Sequence, residues 1–357
     1  MNSAESTKMQ IGVAIIGSGI FAKEEHLPAV RAAPHLVLRA AYSRFIASAK
    51  ALVTDLPGGV DLYADDQEAK QTFPALLARA DIQAVIIALP ILVQPDYIRA
   101  ALQAGKHVLS EKPIAADQRL AEELLSWYHN AIDTKSVTWA VAENYRYLDG
   151  IVYGREQVQT LGKVLGVHVT VFENVKLGGK YIETSWRKQP GYQGGFLLDG
   201  GVHFVAATRY LLGPSNAITR ISAQTTQLQP HLPPVDTLDA TLKLATGGTG
   251  TFSVSFGTTL PGWEYSIACE GGSVTVGPTE VTVRRGEGEN QAESRKAFPN
   301  QGMGVKQEVK AWAEGLHCRR LDGAQTPLEA LRDLEILELM LQSGEKNGLP
   351  MDISKSI

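Results

Sequence analysis

The stretch IGVAIIGSGIFA, residues 11–22, decides the fold. Its apolar first half, Ile11 to Ile16, reads as a strand buried on both faces. It runs into Gly17-Ser18-Gly19-Ile20-Phe21-Ala22, a G-x-G-x-x-[G/A] arrangement, and the helical pattern KEEHLPAVRAA (23–33) follows at once. Between a buried strand and a helix, each small residue has its own use. Gly17 permits a tight turn, Gly19 lets the backbone approach a pyrophosphate, and Ala22 lets the helix pack closely on the strand. The helix start adds amide donors and the positive end of the helix dipole. Gly17, Gly19, Ile20, Phe21 and Ala22 are therefore candidate ligands of a dinucleotide.

The alternation continues outward from this unit. LVLRAAYS (36–43) reads as a strand, RFIASAKALVTDL (44–56) as a helix, AVIIALP (84–90) as a strand and QPDYIRAALQAG (94–105) as a helix. HVLSE (107–111), LAEELLSWYHNA (120–131) and VTWAVAEN (137–144) follow as strand, helix and strand. Such βαβ alternation predicts a parallel sheet with helices on both faces, a Rossmann domain over residues 11–146 behind a flexible, polar N-terminus of residues 1–10. Where an NAD site places a carboxylate for the ribose hydroxyls, the second strand ends in Ser43 and Arg44. A guanidinium there suits a 2′-phosphate, so NADP(H) is expected in preference to NAD(H).

Beyond residue 150 the texture changes. VLGVHVTVFENV (164–175), DTLDATLKLA (236–245), GTFSVSFGTT (250–259) and WEYSIACEGGSVTV (263–276) alternate apolar with polar positions, predicting an antiparallel sheet with one packed face. RRGEGENQAESRKAFPN (284–300) reads as an exposed hairpin or loop. A last helix starts at Thr326 and Pro327, with Leu328, Leu331, Leu334 and Leu337 on one stripe. The second domain, residues 147–357, is thus an α+β domain on a large, mostly antiparallel open sheet, whose uncovered face implies a homodimer or homotetramer.

The 357 residues suit two domains with separate cores. Lys plus Arg number 34 against 38 Asp plus Glu, with no long basic run, so no nucleic-acid surface is expected. Cys269 and Cys318 are too few for a disulfide framework, and no CxxC or HExxH spacing offers a metal site. The N-terminus lacks an apolar signal core, and AVIIALPILV (84–93) is broken by Pro90, so neither membrane nor secretory pathway is indicated and a cytoplasmic protein with a small-molecule substrate is expected.

Two further stretches carry chemistry. SEKPIA (110–115) follows the fifth strand of the alternating half, where ligands of open α/β sheets bind, so Glu111 and Lys112 join the candidate cofactor ligands. In LLDGGVHFV (197–205), Asp199 and His203 stand one helical turn apart and share a face. The reading there is Asp199 as N-cap of a helix VHFVAATRYLL (202–212), with Gly200 and Gly201 leaving room for a ligand near the backbone. Asn144, Tyr145 and Arg146 after VTWAVA, and Trp186 with Arg187 in TSWRKQP (184–190), are candidate substrate contacts.

With its glycine fingerprint, EKP and GGFLLDGGVHFV, the chain resembles the glucose-fructose oxidoreductase, inositol dehydrogenase and rhizopine-catabolism (Gfo/Idh/MocA) family over nearly its whole length. IGSGIFA, HLPA, VAEN and TSWRKQP make it similar to small fungal NADP(H)-dependent members. The resemblance implies an active site of Lys112, Asp199 and His203, hydride transfer to or from a hydroxyl or carbonyl carbon, and a C-terminal sheet used for oligomer contacts. In that scheme Asp199 holds a substrate hydroxyl, His203 exchanges its proton and Lys112 stabilises the alkoxide. Fold alone leaves two other readings open: a non-catalytic NADP-binding sensor or repressor, and an enzyme that cleaves glycosides through transient oxidation.

Overall fold

The computed structural model describes residues 10–66, 71–286, 288 and 291–354, so the N-terminus expected to be flexible lies outside the described residues except for Gln10. The chain divides into two compact units. One comprises Met1–Ala115, Glu122–Ala142 and Val305–Glu329, the other Ala116–Ala121, Glu143–Gly304 and Ala330–Ile357.

In the first unit, the described residues form a sheet of β1 (Ile11–Ile16), β2 (Leu36–Ser43), β3 (Asp61–Ala64), β4 (Ala84–Ile87), β5 (His107–Glu111) and β6 (Trp139–Ala142). The order β3-β2-β1-β4-β5-β6 is parallel throughout, the doubly wound arrangement that the alternation predicts. Apart from partly buried Ile11, the apolar side chains of β1 and β4 are almost wholly shielded from water, as strands covered on both faces must be. Helices α1 (Leu27–Ala32), α2 (Ile46–Leu52), α3 (Phe73–Leu77), α4 (Gln94–Gln103) and α5 (Gln118–Ala131) alternate with the strands. The short edge strand β3 has no counterpart in the sequence reading, because four residues, only Ala64 of them buried, carry too little periodicity to be recognised.

The helix after the glycine loop departs from the expected regular form. A π-turn spans Ala22–His26, closed by the Leu27 amide donating to the Ala22 carbonyl, and α1 resumes behind it. Pro28 has no amide to give the carbonyl four residues back and its ring crowds that carbonyl, so a widened turn just ahead of it relieves both demands.

The second unit is built on β7 (Val164–Asn174), β8 (Ile218–Thr226), β9 (Thr237–Leu244), β10 (Thr249–Ser255), β11 (Gly257–Cys269), β12 (Gly272–Val276), β13 (Glu280–Arg285), β14 (Ala292–Ala297) and β15 (Met351–Asp352). Their order is β14-β13-β12-β11-β7-β10-β9-β8-β15, antiparallel but for the parallel pair β7 and β10. Val167, Val169 and Val171 face a packed side, where α6 (Asp149–Gln159) lies on β12 and β13. The other side is polar: His168 Nδ1 meets Thr251 Oγ1 at 2.8 Å, and Ser266 and Thr275 hydroxyls lie 3.0 Å apart. The segment expected as an exposed hairpin is the β13–β14 pair, with Glu287, Glu289 and Asn290 outside the described residues.

After α7 (Ser185–Lys188) and α8 (Gly195–Leu212), the chain contributes α9 (Val305–His317) to the first unit before α10 (Pro327–Glu345). Residues 305–329 thus leave the 147–357 block drawn from the sequence, and the chain crosses units after Ala142 rather than after Arg146. The reason is an amphipathic pattern: Val305, Val309, Trp312 and Ala313 form one apolar stripe that joins the core around α1. No helix of the described residues is long and apolar enough to cross a membrane.

Candidate active site

In the first unit, the two glycines of the loop differ in what surrounds them. Gly17 has φ +109°, and a Cβ on it would lie 2.2 Å from the Ala88 carbonyl oxygen, so the fold itself demands glycine. A Cβ on Gly19 would meet nothing within 4 Å. Open space at the second glycine, beside a helix that begins at Ile20 with its first amides unused inside the helix, fits a dinucleotide's pyrophosphate. Ile20 and Phe21 form that first helical turn, and Ala22 is buried under it. Ser18 Oγ donates to Ser43 Oγ at 2.8 Å, which ties the loop to the end of β2. Arg44 follows, exposed, with its guanidinium 5.1 Å from the Phe45 ring centre.

The end of β5 is held from two sides. His26, fully buried in the π-turn, places Nε2 2.6 Å from Glu111 Oε1. The Gln94 side-chain amide donates to the Glu111 carbonyl oxygen at 3.2 Å. Glu111, expected among the cofactor ligands, has an internal partner in His26: a buried imidazole needs a polar neighbour, and Oε1 of this carboxylate supplies it. Lys112 comes next, followed by the cis Lys112-Pro113 peptide.

In the second unit, Asp199 and His203 lie on α8 as expected, but Asp199 is not its N-cap. The helix begins at Gly195 behind Gly194, whose φ is +75°, because Leu197 and Leu198 are buried and draw the earlier residues into helix. The glycines after Asp199 also need correction. A Cβ on Gly200 would stand 2.6 Å from the Phe256 ring, so that space is filled by protein and not kept for a ligand. Asp199 is buried, and its Oδ2 accepts from Arg187 Nε at 2.7 Å. Arg187 in turn stacks over Trp186, 4.0 Å from the ring centre.

His203 is held by two residues of the segment that follows β6. Its Nδ1 lies 2.6 Å from Glu143 Oε1, and the Tyr145 ring stacks on the imidazole at 4.6 Å and 16°. Burial, with the Glu173 and Glu143 carboxylates nearby, pushes the Tyr145 hydroxyl well above its ordinary range, so this ring stays a neutral phenol.

The other two substrate candidates of that segment are corrected. Asn144 is buried, its amide donating to the Met303 carbonyl oxygen at 2.6 Å. Arg146 is also buried, paired with Asp333. Both hold backbone or charge inside the protein. Of the residues chosen from sequence, the structure thus joins Arg187 to Asp199 and Tyr145 to His203, within one unit, while Lys112 belongs to the other. His26 and Glu143 escape sequence reasoning. Both contacts span large separations in sequence; His26 in HLPA and Glu143 in VAEN lie in stretches that mark the resemblance, but those stretches do not say what either side chain will meet.

Family models match both parts of the chain: "Oxidoreductase family, NAD-binding Rossmann fold" over residues 11–138 and "Oxidoreductase family, C-terminal alpha/beta domain" over 155–353. Dehydrogenase FPY6 of Fusarium mangiferae is 39% identical, the match covering 95% of this chain and 97% of that protein. An uncharacterized protein of Saccharomyces cerevisiae is 29% identical over the same shares of both chains. Among solved structures, an oxidoreductase from Thermotoga maritima superposes with a TM-score of 0.83 at 26% identity, covering 96% of this chain and 98% of its own.

The contrast between the two glycines is testable. Gly17→Ala should lower stability by about 2 kcal/mol or more, since it adds left-handed strain to a carbonyl clash. Gly19→Ala should leave stability within about 0.5 kcal/mol of the parent. It should nonetheless weaken dinucleotide binding at least about tenfold, or 1.4 kcal/mol, by filling the pyrophosphate's approach. Urea unfolding and fluorescence titration with NADPH read the two effects separately.

Proposed function

The chain belongs to the Gfo/Idh/MocA oxidoreductase family, and on that premise we propose that it transfers a hydride between NADP(H), in preference to NAD(H), and the hydroxyl or carbonyl carbon of a small molecule. A sugar, a polyol, a diol or a secondary-metabolite carbonyl would serve as substrate. The observation that carries the reading is α8, which sets His203 one turn from Asp199 with each side chain fixed by a partner of its own.

Gly17, Gly19, Ile20, Phe21 and Ala22 would hold the pyrophosphate, with Ser43 and Arg44 at the adenosine ribose. When bound, the nicotinamide supplies or accepts the hydride. In the reducing direction His203 gives a proton to the carbonyl oxygen, and in the oxidising direction it takes that proton back from the hydroxyl. The Lys112 ammonium would stabilise negative charge developing on a substrate oxygen. Asp199, anchored by Arg187, accepts a hydrogen bond from a substrate hydroxyl and so fixes the orientation of the reacting carbon.

Arg44→Ala should weaken NADPH binding by about 1.5 to 3 kcal/mol, the scale of a hydrogen bond to a charged group. NADH binding should hardly change. Titration of both cofactors against both proteins checks this, and an unaltered NADPH affinity would remove the basis for the preference.

Lys112→Ala and His203→Ala should each slow hydride transfer at least about a hundredfold, the usual consequence of losing an acid-base group. NADPH affinity should stay within a few fold, because the groups that bind the phosphates are untouched. A screen of carbonyl substrates with NADPH, followed by single-turnover absorbance, supplies the measurement. Parent-like transfer in both variants would return α8 to a plain structural helix.

The polar face of the second unit's sheet is proposed as a homodimer or homotetramer interface, since an exposed sheet face of this extent gains from cover. Light scattering at micromolar concentration should report a multiple of the chain mass, and a monomer would count against the assignment.

A further inference from the structure

We propose that Glu143 is the positioning residue of the reaction, fixing His203 as the tautomer that carries its proton on Nδ1 and leaves Nε2 to exchange a proton with the substrate oxygen. The inference rests on the reading of His203 as the proton-exchanging group, but it concerns a residue that neither the glycine fingerprint nor the Asp199–His203 spacing reveals.

Glu143 follows β6 directly and is the N-cap of the 3₁₀ turn Asn144–Tyr147. Its Oε1 receives the Tyr145 amide at 3.3 Å and faces His203 Nδ1 at 2.6 Å. A carboxylate oxygen only accepts, so the nitrogen facing it must be the donor. A neutral imidazole has one N–H, and directing it at Glu143 leaves the lone pair on Nε2. The carboxylate is 1% exposed, so water competes little for this bond.

Two contacts hold the ring in the orientation that turns Nδ1 to Glu143. Rotation by half a turn about Cβ–Cγ would carry Nδ1 away from Glu143 and cost the buried carboxylate its short bond to the ring. The Tyr145 ring, stacked nearly parallel on the imidazole, resists any tilt out of that plane. Tyr145 is itself set by the same oxygen, through its backbone amide. One carboxylate thus fixes the imidazole in its plane and seats the ring that lies against it. When Nε2 takes a proton, the imidazolium that forms already has its counter-charge in place.

The test needs no knowledge of the substrate. Nitrogen NMR of the full protein labelled at histidine, with His203→Asn used to assign the signal, reports which ring nitrogen is protonated once pH titration has located the neutral form. The expected result is Nδ1–H. A parent protein in the Nε2–H form would overturn the proposal without bearing on the family's chemistry.

Glu143→Gln keeps an acceptor oxygen and should retain Nδ1–H, whereas Glu143→Ala should pass to Nε2–H. With a carbonyl substrate and NADPH, Glu143→Ala should lower kcat at least about a hundredfold with KM and NADPH affinity within a few fold, because a misplaced proton affects the chemical step. If Glu143→Ala kept the parent tautomer, the positioning role would be refuted. If the tautomer changed as expected while both Glu143→Ala and His203→Ala transferred hydride normally, the tautomer assignment would stand and the catalytic reading of His203 would fall.

Discussion

One buried carboxylate sets the geometry of the second unit's site. Asp333 on α10 is 1% exposed and takes two guanidinium groups, Arg146 from the turn after β6 and Arg209 from α8. Arg146 is three residues beyond Glu143, and Arg209 is six beyond His203. The clamp therefore joins the two segments that also meet as the Glu143–His203 hydrogen bond and the Tyr145–His203 stack. Removing one member of such a buried pair costs about 3–5 kcal/mol, because the charge left behind is uncompensated. The two segments are thus tied by an interaction that touches neither Asp199 nor His203.

The clamp explains both what can be read from the sequence and what cannot. Strands β1, β2, β4, β5 and β6 and the helix α8 announce themselves by local period, so the parallel sheet and the Asp199–His203 turn are legible. The segment Asn144-Tyr145-Arg146 stands out as unusual, yet only Tyr145 reaches His203. Arg146 is engaged by Asp333 and Asn144 by the Met303 carbonyl, contacts 187 and 159 residues away in sequence. Nothing in a local pattern says whether a polar side chain will meet a ligand or bury itself against a distant charge. For the same reason α9 is invisible as part of the first unit: its stripe of Val305, Val309, Trp312 and Ala313 tells of a buried face but not of which core receives it.

In the first unit the corresponding long-range tie is His26 to Glu111. Pro28 shapes the π-turn that carries His26, and the strand end that carries Glu111 also presents Lys112. The helix whose first amides suit a pyrophosphate and the strand end next to the lysine are thus linked by this hydrogen bond. Two features that the sequence shows as separate motifs, GSGIFA and EKP, are mechanically one. A glycine fingerprint supplies the turn and the open space, but it does not reveal this coupling, which depends on a histidine outside the fingerprint.

The pairing of Asp199 with Arg187 bears on how proton and charge are divided at α8. A carboxylate in a charge-assisted bond to a guanidinium is a poor proton acceptor, since protonation would sacrifice the bond and leave a cation beside a neutral acid. Arg187 has further reason to stay, stacked as it is over Trp186 and 5.5 Å from the Tyr181 ring centre. Asp199 is thereby suited to accepting a hydrogen bond and not a proton. His203 has the opposite kind of partner, the Glu143 carboxylate. The two side chains share a helix face and differ in the sign of what holds them: a cation for the acid, an anion for the imidazole. That difference is the basis on which the proposed mechanism divides orientation and proton transfer between them.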